Sequence, residues 1–435
     1  MKINRIEGNE MKKVVGMSLV TAVLLGASAF AVDNVKVSGD AKLYYYTDDK
    51  NTGDLFSKTT SAADTALRLG VTGNLVNHVS FGVTGYAVST LGLENNLVSN
   101  TWSSAHTSTN PGDVSDEAWI GELWIAATYG KTTVKAGRML LDSPLSFSET
   151  WSVTPNSYEA FVLINQDIPD TTLVGVYAGH SNGVNAVGYT DGPGGVADNT
   201  SGLGLDGIVG AGGKFGTHGA KGANVAGIIN NSYKPLTAQA WYYNVVNAAD
   251  AFWLQGDVNC QLLKGLKLGA QYTEISPKGI YAGVHDSKGY AFKVGYEGIE
   301  NLKVSAAYSD VDKDSVFKVS NLATNNTVKS QSKLYTEAFW NYGYVGAPDA
   351  KTVNLTAEYK LDIAKFGAYY TNVNNGIFAT LAAPRVGVDM QELALTATKS
   401  YGALDTTLAY VSTDADDQNN GSQSNSIQAR LTLNF

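Results

Sequence analysis

SIQARLTLNF, residues 426–435, places Ile427, Ala429, Leu431, Leu433 and Phe435 on one side and Gln428, Arg430, Thr432 and Asn434 on the other. Strict alternation with a period of two is the pattern of a half-buried β-strand. An apolar face carried to the last residue implies that this terminus is tied into a sheet, since free termini fray. Two environments accept such a face: the core of a soluble β-sandwich, or lipid around a barrel whose lumen takes the polar face.

The pattern recurs along the chain. Val35, Val37, Gly39, Ala41, Leu43 and Tyr45 alternate with Lys36, Ser38, Asp40, Lys42 and Tyr44, and Leu67 to Leu75 and Val79 to Ala87 make a hairpin about a short turn. Alternation predicts eighteen strands: 34–46, 65–75, 79–88, 117–129, 132–138, 158–166, 171–179, 222–231, 236–245, 251–260, 266–274, 288–297, 302–310, 352–360, 365–371, 391–399, 404–412 and 426–435. Short links near 76, 130, 168, 233, 263, 299, 362 and 402 alternate with long ones, including 180–221 and 311–351. Short turns on one rim and long loops on the other are expected of an outer-membrane barrel, and an even strand number puts both chain ends on the short-turn, periplasmic rim. The stretch KLYTEAFWNYGY, 333–344, is assigned to a long loop with a short helix, because another strand would break the up-down parity. The fold class expected is therefore all-β: a transmembrane antiparallel up-and-down barrel of about 18 strands, in one domain, 32–435.

Residues 1–31 have the form of a signal peptide: Lys12 and Lys13, an apolar run, and Ala29-Phe30-Ala31 as an A-x-A site. Cleavage before Val32 and a true start at Met11 are expected. Removal takes four basic and two acidic residues, leaving 27 Lys and Arg against 38 Asp and Glu, a net charge of −11. So acidic a chain is ill suited to nucleic acid, whose phosphates require a basic surface. The single cysteine, Cys260, cannot form an internal disulfide. Beyond the signal no apolar stretch approaches the roughly 20 residues of a membrane helix. The 46 Gly and 24 Tyr suit closely packed strands with aromatic belts; Tyr86, Trp119, Tyr129, Tyr177, Tyr272, Tyr296, Tyr308, Tyr370 and Tyr410 are the belt candidates.

Enzyme signatures are incomplete or missing in the sequence. GLGLDG, 202–207, matches G-x-G-x-x-G in letters but lacks a strand-then-helix context. No P-loop or G-x-S-x-G elbow occurs, and the five histidines are scattered without zinc-ligand spacing. Asp310, Asp312 and Asp314 have the one-three-five spacing of a calcium loop, but Ser315 and Asn321 replace its glycine and glutamate. Calcium bridging these carboxylates to lipopolysaccharide is one reading; a solvated loop tip is the other. No other cofactor is expected.

Residues 137–179, GRMLLDSPLSFSETWSVTPNSYEAFVLINQDIPDTTLVGVYAG, resemble porins of the ε-proteobacterial major outer-membrane protein type and OprD-like porins. The likeness is carried by Gly137-Arg138, Pro144, Pro155-Asn156-Ser157-Tyr158-Glu159 and Thr172-Leu173. It implies a trimer, a third extracellular loop (139–157) folded into the pore, and Phe435 as the signal read by the barrel assembly machinery. Arg138, Asp142, Glu149, Glu159 and Asp167 are the candidate constriction charges. By alternation Arg68, Lys135, Lys267, Lys293, Lys303, Glu358 and Arg430 face the lumen, with Arg68 and Arg430 meeting across the closing strands as a basic wall. The expectation is a channel for passive diffusion of small hydrophilic solutes and ions in a Gram-negative outer membrane, in contact with lipid and lipopolysaccharide. Net acidity points to cation preference. A barrel enzyme would need a Ser/His/Asp set on the wall or rim, and no histidine falls beside a lumen serine and acid, so no enzyme is expected; a surface adhesin acting through the long loops is the alternative function.

Overall fold

The computed structural model describes residues 32–107, 114–183, 205–217, 221–315, 317–324, 330–378 and 385–435. The signal segment, Gly202–Gly204 of the glycine-rich motif and His218 lie outside the described residues.

Eighteen strands form one closed antiparallel barrel: β1 (Asp33–Asp48), β2 (Ser61–Val76), β3 (Val79–Ser89), β4 (Glu117–Tyr129), β5 (Thr132–Met139), β6 (Tyr158–Asn165), β7 (Thr171–Ser181), β8 (Ala223–Asn230), β9 (Leu236–Val245), β10 (Ala249–Asn259), β11 (Leu266–Pro277), β12 (Ser287–Ile299), β13 (Leu302–Val311), β14 (Ala350–Lys360), β15 (Lys365–Asn375), β16 (Met390–Tyr401), β17 (Leu404–Ala415) and β18 (Ser424–Asn434). Each expected strand is present. Several run further than alternation showed: β2 starts at Ser61 and β15 ends at Asn375. A two-residue strand, Gly216–Thr217, extends the edge of β7, and Ile377–Phe378 pairs with Arg385–Val386 in a small ribbon.

Closure occurs between β1 and β18, in register from Asp40↔Asn434 to Asp48↔Ser426. Phe435 completes it. Its N–H donates to Gly39 O at 3.0 Å and its carbonyl accepts from Gly39 N at 2.8 Å. A Cβ at Gly39 would stand 2.9 Å from the Phe435 ring, so glycine leaves room for the terminal aromatic. Closure leaves no sheet edge, which a bilayer could not satisfy with hydrogen bonds.

Links on one rim are short, with left-handed residues such as Gly130 (φ 59°), Asn301 (φ 63°) and Gly402 (φ 63°) making the tight reversals. The other rim bears the long loops, except that β9 and β10 are joined by residues 246–248 alone. Outward positions are apolar and exposed, as in Val37, Leu67, Ile125, Phe292, Leu355 and Leu433. Exposed aromatics fall in two bands: Tyr129, Tyr359, Tyr401 and Phe435 near the short turns, and Tyr177, Tyr242, Tyr272, Tyr290, Tyr308 and Tyr410 toward the long loops. Tyr86 and Trp119 belong to neither. An extra residue in β4, where Thr84 pairs with Glu122 but Gly85 with Ile120, turns Trp119 inward. There it meets the buried Tyr86 ring edge-on at 5.8 Å.

The lumen differs from a uniformly polar tube. Toward the long-loop rim the inner wall carries Tyr44, Tyr46, Trp241, Tyr243, Trp253 and Ile275, all buried. Loop residues cover them: Leu145 from the third loop, and Phe317, Val319, Leu334, Ala338 and Tyr344 from the seventh loop, 312–349, join the larger cluster. Trp102 from the second loop, Trp151 from the third, Ile208 and Val209 from the fourth, and Trp340 from the seventh join the other. KLYTEAFWNYGY is loop, as expected, with one 3-10 turn at Tyr342–Tyr344, and it is folded inside the barrel.

Candidate functional site: the constriction inside the barrel

Two loops meet in the lumen. Tyr158, at the start of β6, donates from its hydroxyl to Phe147 O at 2.8 Å, pinning the third loop inside. From the seventh loop Asn321 donates to Phe147 O at 2.8 Å and to Glu149 Oε1 at 2.9 Å, and Leu322 N donates to Leu145 O at 2.8 Å. The seventh loop is tied in turn to the wall. Glu392 of β16 accepts from Trp340 N (3.0 Å), Asn341 N (2.9 Å) and Asn341 Nδ2 (2.7 Å). Tyr335 donates to Asp257 of β10 at 2.6 Å, and its N–H donates to Gln271 of β11 at 3.0 Å.

Of the expected constriction charges, Asp142 on the third loop is the most exposed, with 82% of its side chain accessible. Lys333 Nζ of the seventh loop bridges to it at 2.7 Å and lies over the Phe147 ring at 4.7 Å. Behind this bridge is a cavity of ≈ 480 Å³ lined by Leu141, Phe147, Thr150, Gln331, Lys333 and Glu337, among others.

The other expected constriction charges lie elsewhere. Glu149 is wholly buried, accepting from Trp151 Nε1 at 3.0 Å, from Asn321 and from Thr324; burial raises its pKa. It ties loops together and does not face the pore. Asp167 sits in the short turn after β6, accepting from Asn165 at 2.5 Å and Thr132 at 3.1 Å, on the rim opposite the constriction. Arg138 and Glu159 pair on the outer wall. Arg138 is in register with the exposed Leu123, and Glu159 shares the face of the exposed Phe161 and Leu163. Arg138 Nη2 stands 2.8 Å from Glu159 Oε1, whose Oε2 is 2.9 Å from His180 Nδ1. Alternation forbids Lys135 and Arg138 from sharing one face of a regular strand.

All seven lumen candidates hold inward positions. Tyr44↔Arg430 and Asp40↔Arg68 bring Arg430, Lys42 and Arg68 together across β18, β1 and β2. Arg68 is paired to Asp40, Lys42 donates to Ser152 O of the third loop at 3.1 Å, and Arg430 is enclosed by the rings of Tyr44, Trp102, Phe339 and Trp340 at 5.3–5.9 Å. The basic wall exists, but much of it is covered. Lys135 lies 4.1 Å over Trp124 and Lys293 5.8 Å from the Tyr335 ring. Lower in the lumen Lys267 donates to Asn259 at 2.5 Å, Lys303 approaches Glu297 at 3.6 Å, and Glu358 pairs with Lys365 at 3.0 Å.

The second and fourth loops are anchored by charge as well. His106 and Asp64 are fully buried, 2.9 Å apart, with His106 Nδ1 2.6 Å from Ser115 O. Burial works against the imidazolium, but the Asp64 carboxylate outweighs it and raises His106 to about 9. Asp206 accepts from Ser104 N at 2.7 Å and from Ser152, and burial raises it to about 6.

Asp310 accepts from Tyr290 and Tyr308, each at 3.3 Å, while Asp312 accepts from Asp314 N at 3.2 Å. Among the described residues no three His, Cys, Asp or Glu side chains are grouped as a metal would require.

A closed eighteen-stranded antiparallel barrel with an apolar outer face and inward-folded loops has the architecture of a transmembrane β-barrel. No family model matches the chain, and no curated relative does. Solved structures do. The fold is similar to that of Pseudomonas aeruginosa OccK3 (OpdO), with a TM-score of 0.65 at 14% identity over 92% of this chain and 96% of that one. P. aeruginosa OccK9 (OpdG) gives 0.69 at 12% over 92% and 99%, and Acinetobacter baumannii OccAB3 gives 0.66 at 14% over 92% and 99%.

Proposed function

We propose that this chain forms a water-filled channel in the outer membrane of a Gram-negative bacterium, through which small hydrophilic solutes and ions diffuse passively, cations in preference to anions. The observation that carries this reading is the pairing of an apolar outer wall with a lumen narrowed by two pinned loops. At that narrowing Asp142 and Lys333 form an exposed ion pair, and the net acidity of the chain supports the preference for cations. Fixed charge beside a narrow aqueous path selects by size and sign without any chemical step. The porin-type neighbours share the fold and support the same class of function. The 137–179 stretch favours kinship with the ε-proteobacterial major outer-membrane proteins within it.

Planar-bilayer recording of purified protein tests the reading. Stepwise openings whose conductance scales with salt, and a reversal potential of cation-selective sign in a KCl gradient, are the expected results. Silent membranes after verified insertion would reject the channel, and an anion-selective sign would reject the preference. Trimer formation, lipopolysaccharide contact, signal cleavage before Val32 and recognition of Phe435 by the assembly machinery belong to this reading. Deleting Phe435 removes the terminal pair with Gly39 and is expected to lower the yield of inserted barrel.

A further inference from the structure

The seventh loop contributes a carboxyl that the sequence does not single out. Glu337 lines the cavity behind the Asp142–Lys333 bridge, and its Oε1 is buried without a hydrogen-bond partner. We propose that Glu337 is a second selectivity-setting carboxyl of the constriction, whose gain or loss of a proton decides how strongly the channel prefers cations. This inference rests on the channel reading above.

A carboxylate with one oxygen buried and unpartnered is costly when charged and tolerable when protonated. The surroundings reinforce that bias. From the third loop, Glu149 and Asp142 face the cluster with negative charge; from its own loop, Lys333 opposes them; on the wall, Asn354 Nδ2 donates to Glu337 O at 3.2 Å. Glu392 of β16 and Arg430 of β18 act on the neighbouring Tyr342 together with Glu149 and Glu337, so they complete the charged set. Burial first, and Glu149 second, push Glu337 up to about 8 against the pull of Lys333 and of hydrogen bonds from the Gln331 side chain and the Ser332 backbone. At neutral pH the cavity therefore holds Asp142 and Lys333, which offset each other, and a protonated Glu337. Above that range it gains one uncompensated negative charge.

The experiment is the reversal potential in a KCl gradient from pH 6 to pH 10, on the full-length mature protein. For the native chain the potassium-to-chloride permeability ratio is expected to rise about threefold through pH 8, the opposite effects on the two ions of one charge roughly 7 Å from a hydrated path, about halved by screening near 0.1 M salt. Glu337→Gln is expected to remove most of the rise and keep the low-pH ratio. Lys333→Gln, which removes the opposing cation, is expected to move the midpoint upward. Lys318, buried in the same loop, also titrates near 8 because burial lowers it, and its loss of charge would act in the same direction. A rise that is undiminished in Glu337→Gln therefore overturns the assignment to Glu337. A flat native profile overturns it without any variant, should Glu337→Gln fail to give the heat-modifiable band of a folded barrel. Inserted protein that conducts at no pH overturns the channel reading and this inference together.

Discussion

The two ends of this lumen are built on opposite principles. Toward the long loops the inner wall is aromatic and aliphatic, and loop segments cover it as a core would. Toward the short turns it carries Lys267, Glu297, Lys303, Glu358 and Lys365, each partly exposed and loosely paired. One sheet thus supports packing at one end and hydration at the other, without any change in its hydrogen bonding or period. Strand alternation specifies only which residues point inward. Whether they meet water or protein depends on which loops return to cover them, and wide barrels leave room for that.

If the upper half is a packed core, Trp253→Ala has the largest effect. The ring is fully buried within the cluster that seats the seventh loop, and truncations of that kind cost about 3–5 kcal/mol. A lowered transition in heat-modifiability, with larger and noisier single-channel openings, is the expected result; unchanged openings would mean the loop is not held by packing. Glu392→Ala is expected to come next. It strands the N–H groups of Trp340 and Asn341, a loss of about 2 kcal/mol or more if each costs at least about 1. Conductance should rise while the barrel still inserts, because the wall strand itself is unchanged.

A smaller effect is expected from pH at the second loop. His106 is held above its ordinary value, so its pair with Asp64 is fully stabilising below about 6.5 and is lost as pH rises through about 9. Proteinase K cleavage within the second loop of reconstituted protein should therefore quicken between pH 7 and pH 10. His106→Gln should show the faster rate already at pH 7. Equal rates at both pH values in the native chain would remove the ion pair from the set of anchors.

Much of the fold could be read from period two, because a barrel strand repeats one local rule and closure demands an even count. The site was less legible, for reasons that differ by residue. Arg138 and Asp167 were readable: Arg138 has the opposite parity to Lys135, and Asp167 falls in a link already recognised as short. The bulge at Gly121 that turns Trp119 inward has no clear local signature, since glycine occurs throughout these strands. Glu149 and Asp142 are alike in sequence, both acids on one loop, but contacts with Asn321 and Thr324, more than 170 residues away, join Trp151 in enclosing the first. Glu337 is hidden in the sequence for the same reason. The available signal was its setting: KLYTEAFWNYGY is too aromatic for a loop in water, and such a segment should have been expected to fold against an apolar wall.

The lower half supplies the smallest effect and the sharpest contrast. Lys303 keeps 63% of its side chain exposed and stands 3.6 Å from Glu297. Exposed pairs of this kind contribute ~0–1 kcal/mol and are screened by salt. Lys303→Gln should leave the melting transition in place and shift the reversal potential slightly toward cations at low ionic strength. That shift should vanish near 1 M salt, where the screening length falls to about 3 Å. Selectivity at the constriction should resist the same salt better, because the groups flanking Asp142 and Glu337 exclude part of the water that carries the screening ions. A Lys303→Gln shift surviving at 1 M would mean that protein, not water, surrounds the lower lysines, and the division of the lumen into two halves would fail.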